Sequence, residues 1–217
     1  MSTPTTLAAL RSLVAARFPT SVRKPGAGVP TGVPGLDAAL GGGLPAGRLT
    51  ELVSTAAGSG GQLVLARLLA TTRAARQRVA LIDAADGLAP EAVPADALRH
   101  LVWVRAANLA QALAAADILV RDGNYAVLVL DLRGIAEGAL RRTPATTWHR
   151  LHRAAENRPA AVLVQTAFPL IPVVPWRLVL KTPLGLAARR RPQAELAGEL
   201  AVETVRGLAA ATEEKAG

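Results

Sequence analysis

The stretch Ser54-Thr55-Ala56-Ala57-Gly58-Ser59-Gly60-Gly61-Gln62 joins a short apolar run, Arg48 to Val53, to a segment from Gln62 to Arg76 in which Leu65, Leu68 and Leu69 recur at helical spacing. Strand, glycine loop and helix form a setting in which backbone N–H groups at a helix start converge on an anion. Splitting a triphosphate there takes more: a lysine for the β/γ oxygens and a Ser/Thr hydroxyl for magnesium. The loop carries no cation where that lysine would stand. Arg48 lies before the strand and Arg67 more than a turn into the helix, so neither is placed to substitute. The loop thus keeps the means to hold an anion but not to hydrolyse one; the plainer alternative is a tight turn that Gly58, Gly60 and Gly61 merely permit. Asp83, Asp131 and Gln165 each end an apolar run. The carboxylates of Asp83 and Asp131 can orient magnesium through water or cap neighbouring loops, and without the lysine capping is expected.

These residues need a scaffold that brings strand ends together. Val79 to Asp83, Leu101 to Val104, Tyr125 to Asp131 and Ala161 to Gln165 are short apolar runs of the kind buried on both faces of a parallel sheet. Asn108 caps a helix with the stripe Leu109, Leu113, Ala116 and Val120, which Asp122-Gly123 ends. Pro144 to Glu156 reads as a helix with Trp148 and Leu151 inward. Arg177 to Lys181 and Leu200 to Val205 alternate as a closing antiparallel pair. The expected fold class is α/β, a mostly parallel central sheet flanked by helices with antiparallel C-terminal strands. Residues 1–30 are expected to form an N-terminal helix, from about Thr6 to Ala16, and a Pro/Gly linker. Residues 31–207 form the core domain, and 208–217 a flexible tail.

Composition narrows the chemistry. The chain has 217 residues, enough for one substantial core, and a net charge of +9, which favours an anionic partner. It has no cysteine, which removes disulfides, thiolate catalysis and zinc fingers, and three scattered histidines offer no metal cluster. Aromatic residues make up only 3% of the chain, too few for an extended base-stacking platform. No apolar run approaches the ~20 residues of a membrane span, so the expectation is a cytoplasmic protein without membrane contact. The acid-free start also suits a mitochondrial transit peptide, but a docking arm is the simpler reading.

The segment Thr31-Gly32-Val33-Pro34-Gly35-Leu36-Asp37-Ala38-Ala39-Leu40-Gly41-Gly42-Gly43-Leu44-Pro45-Ala46-Gly47-Arg48-Leu49-Thr50-Glu51 resembles the lead into the phosphate loop of the RecA recombinases. Leu81 to Pro90 resembles their second strand and the following loop, Val127 to Asp131 their Walker B strand, and Val162 to Gln165 the strand whose glutamine couples nucleotide to DNA. The resemblance covers roughly Thr31 to Gly207. It implies a RecA-like core in which Gly60 stands at the lysine, Gly61 at the magnesium-binding hydroxyl and Ala85 at the catalytic glutamate. Ser54, Gly58, Ser59, Gly60, Gly61, Asp83, Asp131 and Gln165 then form a degenerate nucleotide loop with no catalytic residue and no cofactor. The family's second DNA loop is cut down to the proline-rich Thr166 to Pro175. A short core with a degraded loop is similar to the ImuA family. That likeness implies a nonenzymatic partner of ImuB, of an error-prone C-family DNA polymerase and of RecA, active in damage-induced translesion synthesis. The RecA resemblance implies docking or self-association through Leu7, Leu10, Leu13 and Val14, and Phe168 and Trp176, beside the proline-rich loop, are candidates for a further partner surface.

Two groups of arginines, Arg133, Arg141, Arg142, Arg150 and Arg153, then Arg189, Arg190 and Arg191, are candidate DNA contacts. A solvated face in an arginine-rich chain is the competing reading.

Overall fold

The computed structural model describes residues 28–206, apart from 57, 85, 157, 173 and 182. The expected helix with Leu7, Leu10, Leu13 and Val14, and the tail beyond Arg206, lie outside the described residues.

Seven strands form one sheet: β1 (Leu49–Ser54), β2 (Val79–Asp83), β3 (Leu101–Arg105), β4 (Val127–Asp131), β5 (Ala161–Thr166), β6 (Trp176–Leu180) and β7 (Val202–Arg206). Their order is β3-β2-β4-β5-β1-β6-β7. All neighbours are parallel except β6 and β7, the antiparallel pair expected at the C-terminus. The buried strands are near-continuous apolar runs because helices cover both faces.

The helices are α1 (Pro34–Ala39), α2 (Gly61–Ala74), α3 (Ala95–Leu98), α4 (Leu109–Asp122), α5 (Glu137–Arg141), α6 (Ala145–Ala155) and α7 (Gln193–Glu199), with 3-10 turns at Pro90–Ala92 and Leu186–Arg190. Asn108 accepts from the Gln111 amide at the start of α4, and Gly123, at φ 75°, ends it. The Asp37 carboxylate reaches back to the Thr31 amide and hydroxyl at 2.7 and 2.8 Å, fixing the entry to α1. The core begins earlier than residue 31: Val29 is buried and exchanges two backbone hydrogen bonds with Leu44, so the linker boundary expected at residue 30 is corrected. A side chain at Gly43 would strike the Val29 backbone at 2.3 Å.

Strand parity decides what faces what. Leu63, Val64, Leu65, Leu68 and Leu69 of α2 pack in one cluster with Val79, Leu81, Val127, Val129 and Leu163. Trp148, Leu151 and the inner face of α4 pack with Ala80, Ile82, Leu128, Leu130 and Val164 on the opposite side. Asp83, Asp131 and Gln165 continue the odd-numbered rows and therefore face α2.

The strap Thr166 to Pro175 is held down. The Glu51 carboxylate, fully buried in β1, accepts from the Leu170 and Ile171 amides at 2.7 and 3.2 Å, from the Thr166 hydroxyl at 3.3 Å and from Arg177 Nε at 2.6 Å. Ile171 and Val174 sink into the core beside it. Removing one partner of a buried pair strands the other charge. Arg177→Ala and Glu51→Ala are each expected to lower stability by about 3–5 kcal/mol in urea unfolding, with the double variant losing less than the two losses added.

Two histidines set a pH dependence. Burial, followed by the nearby Arg73, holds His100 below its usual value of 6.5. Burial does the same to His152, against the pull of Glu156. The unfolded chain therefore binds protons near pH 6.5 that the folded chain refuses, so stability falls as pH drops from about 7 to 5. Denaturation at several pH values should show that fall, and His100→Gln should flatten part of it.

Candidate functional site

The parallel strands deliver their C-terminal ends to one crevice, under the glycine loop and the first turn of α2. Asp83 stands opposite Asp131 in the β2–β4 register and Asp131 opposite Gln165 in the β4–β5 register, so the three form one row. All three are buried. Asp83 accepts from the Gly87 and Leu88 amides at 2.9 and 3.0 Å and from Trp103 Nε1 at 3.3 Å. This is the loop-capping role expected for it. Gln62 closes the same loop by donating to the Gly87 carbonyl at 2.7 Å.

Asp131 is held differently. Arg133, two residues on, folds back and grips it with two guanidinium nitrogens, Nε at 2.9 Å from Oδ1 and Nη2 on Oδ2, while its own amide reaches Oδ1 at 3.2 Å. The remaining nitrogen, Nη1, lies against Gly61: a Cβ built there would be 2.2 Å from it and 3.0 Å from Ser54 Oγ. The expectation that no cation stands beside the loop is therefore corrected. The cation comes from the chain after β4, which the linear spacing of the loop does not reveal.

Gly60 has a neighbour of its own. It caps α2 in the left-handed region at φ 93°, and a Cβ there would sit 2.6 Å from Leu200 Cδ2. Both glycines are thus contact points, with Leu200 over one and Arg133 over the other. The loop itself is drawn in by Ser59, whose hydroxyl donates to the Ala56 carbonyl at 2.6 Å and accepts from the Ala56 amide at 3.1 Å. Ser54 Oγ and Gln165 Oε1 are buried without a hydrogen-bond partner, and Gln165 Nε2 meets the Gly61 carbonyl only at 3.4 Å. Beyond the loop opens a cavity of about 1190 Å³. Ser54, Gly58 and Arg133 line it on one side, and Leu88, Leu184 and Arg191 on the others. Arg48 pairs with Glu156 and Arg67 donates to the Gly32 carbonyl, so neither enters the loop, as expected. Ala85 lies outside the described residues.

The expected DNA arginines separate into groups. Arg133 is turned inward. Arg141 pairs with Glu137 and stacks 4.6 Å above the Phe168 ring. Arg191 binds Glu199 and, more loosely, Glu195. Arg142, Arg150, Arg153 and Arg190 are exposed, and the side chain of Arg189 lies outside the described part. Of the expected partner residues, Phe168 is half-buried beneath Arg141, and Trp176 begins β6 and packs on the core. Trp148 is core, as expected, whereas Trp103 is half-buried, tied to Asp83 and covered by Arg105 at 5.3 Å.

The roles of three residues were not legible in the sequence. Glu51 ends the segment that resembles the lead into the phosphate loop and proves to be the hub of the strap. Leu200 had no local signal at all. Arg133 had one: an Asp-x-Arg at a strand end, opposite a glycine where a side chain is expected.

Residues 19–138, more than half of the chain, match the RecA N-terminal domain. The chain is 39% identical over 121 residues to the RecA protein of Mycolicibacterium vanbaalenii, covering 53% of this chain and 33% of that protein. It is 39% identical over 121 residues to RecA of Rhodococcus jostii, covering 53% and 34%. RecA of Mycobacterium avium is 37% identical over 121 residues, covering 53% and 33%. The match spans about a third of each of these relatives.

If Arg133 needs the space at Gly61, the two positions are coupled. Gly61→Ala forces the guanidinium off Asp131 and is expected to cost about 1–3 kcal/mol in chemical denaturation. In an Arg133→Ala background the same change should cost markedly less, and simple additivity of the two would count against the contact.

Proposed function

This chain belongs to the RecA N-terminal domain family, and from that premise we propose that it is a non-hydrolysing RecA-like adaptor of the DNA-damage response. It is read as an ImuA-type protein that joins ImuB and an error-prone C-family DNA polymerase for translesion synthesis in the cytoplasm, with RecA as a further contact. Among the described residues no helix is long and apolar enough to cross a membrane.

One observation carries the reading. Arg133 occupies both Asp131 and the space at Gly61, where a phosphate loop presents its metal-binding hydroxyl. Phosphoryl transfer depends on positioned positive charge around the β/γ-phosphates, supplied by a lysine and a divalent metal held by that hydroxyl and a strand-end carboxylate. Here the strand-end carboxylate is already neutralised by its own chain. The lysine position is a left-handed glycine under Leu200. A RecA-like core whose strand-end carboxylate and loop glycines are already met by its own side chains is suited to docking rather than turnover.

A second reading, a DNA-stimulated ATPase with an unorthodox loop, draws on a different observation. Asp83, Asp131 and Gln165 remain aligned in one buried row at the strand ends.

Calorimetric titration with ATP and magnesium separates the two, and the adaptor is expected to give neither an isotherm nor phosphate release above background. Turnover abolished by Asp131→Ala would establish the ATPase instead. For the docking side, ImuB and RecA should each retain the purified chain in a pull-down, and Leu10→Glu with Leu13→Glu should weaken retention at least severalfold. Unchanged retention would remove the N-terminal segment from the contact.

A further inference from the structure

On the sheet face opposite the glycine loop, α4 and α6 lie side by side over the second core cluster. Their outer surfaces leave a concave cleft of about 450 Å³ lined by Arg121, Thr146, His149, Arg150, Arg153 and Ala154. The four polar positions of α6 in this set follow i, i+3, i+4, i+7, one face of a helix, and at 1.5 Å per residue they extend about 10 Å along its axis. Arg121 answers them from the end of α4.

The charges do not cancel. Asp117 is the carboxylate that meets this group, at 3.1 Å from Arg121 Nη2 and 3.8 Å from Arg150 Nε. Arg153 makes no ion pair among the described residues, so three guanidinium groups share one acid. Of the other arginines first considered as DNA contacts, Arg133 is engaged by Asp131, Arg141 by Glu137 and Phe168, and Arg191 by Glu199, whereas Arg142 and Arg190 are exposed outside the cleft lining. Guanidinium groups from two elements, α4 and α6, thus converge on one concave surface.

We propose that the α4–α6 cleft binds the sugar-phosphate backbone of a nucleic acid. Guanidinium forks and the Thr146 hydroxyl are donors only, or donors first, toward phosphate oxygens. A linear row of donors along one helix suits a chain in which phosphates recur at short, regular intervals, whereas an isolated anion would engage one end of it. No Phe, Tyr or Trp lines the cleft and His149 carries its one ring, so bases find no extended stacking platform and recognition is independent of sequence. The strap pinned by Glu51 leaves the loop after β5 packed into the core, and the cleft provides a binding face that does not depend on it. The site does not rest on the adaptor reading, since an ATPase carrying the same cleft would bind equally.

The test is fluorescence anisotropy of the full chain with a labelled mixed-sequence single-stranded DNA, titrated at several salt concentrations. Arg121→Gln, Arg150→Gln and Arg153→Gln combined should weaken binding at least about tenfold and reduce the steepness of the log–log salt dependence by about 2–3, with Arg190→Gln within about twofold of the parent. Thermal unfolding of each variant separates loss of binding from loss of fold. Hydrogen exchange of the unaltered protein gives an independent readout: added DNA should protect amides of 145–155 and 109–122 and leave 61–74 unchanged. Wild-type affinity in the triple variant, protection elsewhere, or no binding by the parent protein would overturn the proposal. So would displacement of the DNA by an acidic peptide or inorganic phosphate as readily as by unlabelled DNA.

Discussion

A carboxylate buried at the end of a parallel strand must be answered by a partner, because its solvation is lost and the surrounding apolar layers offer no replacement. Asp131 is answered by Arg133, and much of the crevice follows from that pairing. The guanidinium is planar and forked, so gripping Asp131 with two nitrogens sends the third toward the first turn of α2. Only a glycine at position 61 admits it. The glycine loop, the strand-end row and the start of α2 are thereby joined through one side chain.

The same logic operates a few strands away. Glu51 is buried more deeply than Asp131 and is met by one arginine, two backbone amides and a hydroxyl. Its effect is to fasten the strap after β5 onto the sheet, with Ile171 and Val174 as apolar anchors. Two buried carboxylates thus account for the closed character of both loops that border the crevice. In each case the acid is satisfied by neighbours in the fold and is not left waiting for a ligand. Removing either partner of such a pair leaves the other charge buried and unanswered, which costs more than forming the pair returns.

The positively charged surface is likewise sorted by contact rather than by composition. A count of arginines treats Arg133, Arg141, Arg150 and Arg191 as equals. In the fold, the first is a structural pin, the second a lid on Phe168, the fourth is tied to α7, and the third joins Arg121 and Arg153 around a cleft. Arginines that neutralise internal acids are lost to external phosphates, and the remainder define where an anionic chain can lie.

Much of the architecture was legible in the residues alone. Apolar runs ending in Asp83, Asp131 and Gln165, the Asn108 and Gly123 punctuation around α4, and the alternation of the last two strands are local signals, governed by burial periodicity and backbone geometry within a few residues. What local pattern could not carry were contacts between distant positions: Leu200 above Gly60, Glu51 beneath Leu170 and Arg177, Arg121 opposite Arg153. Arg133 was close in sequence to its acid yet remote from Gly61, so its reach into the loop depended on how β4 and α2 pack. Residue spacing encodes periodic structure because that arises from short-range geometry. Which side chain fills a given space was decided by the tertiary structure, since the space exists only once the layers have closed around it.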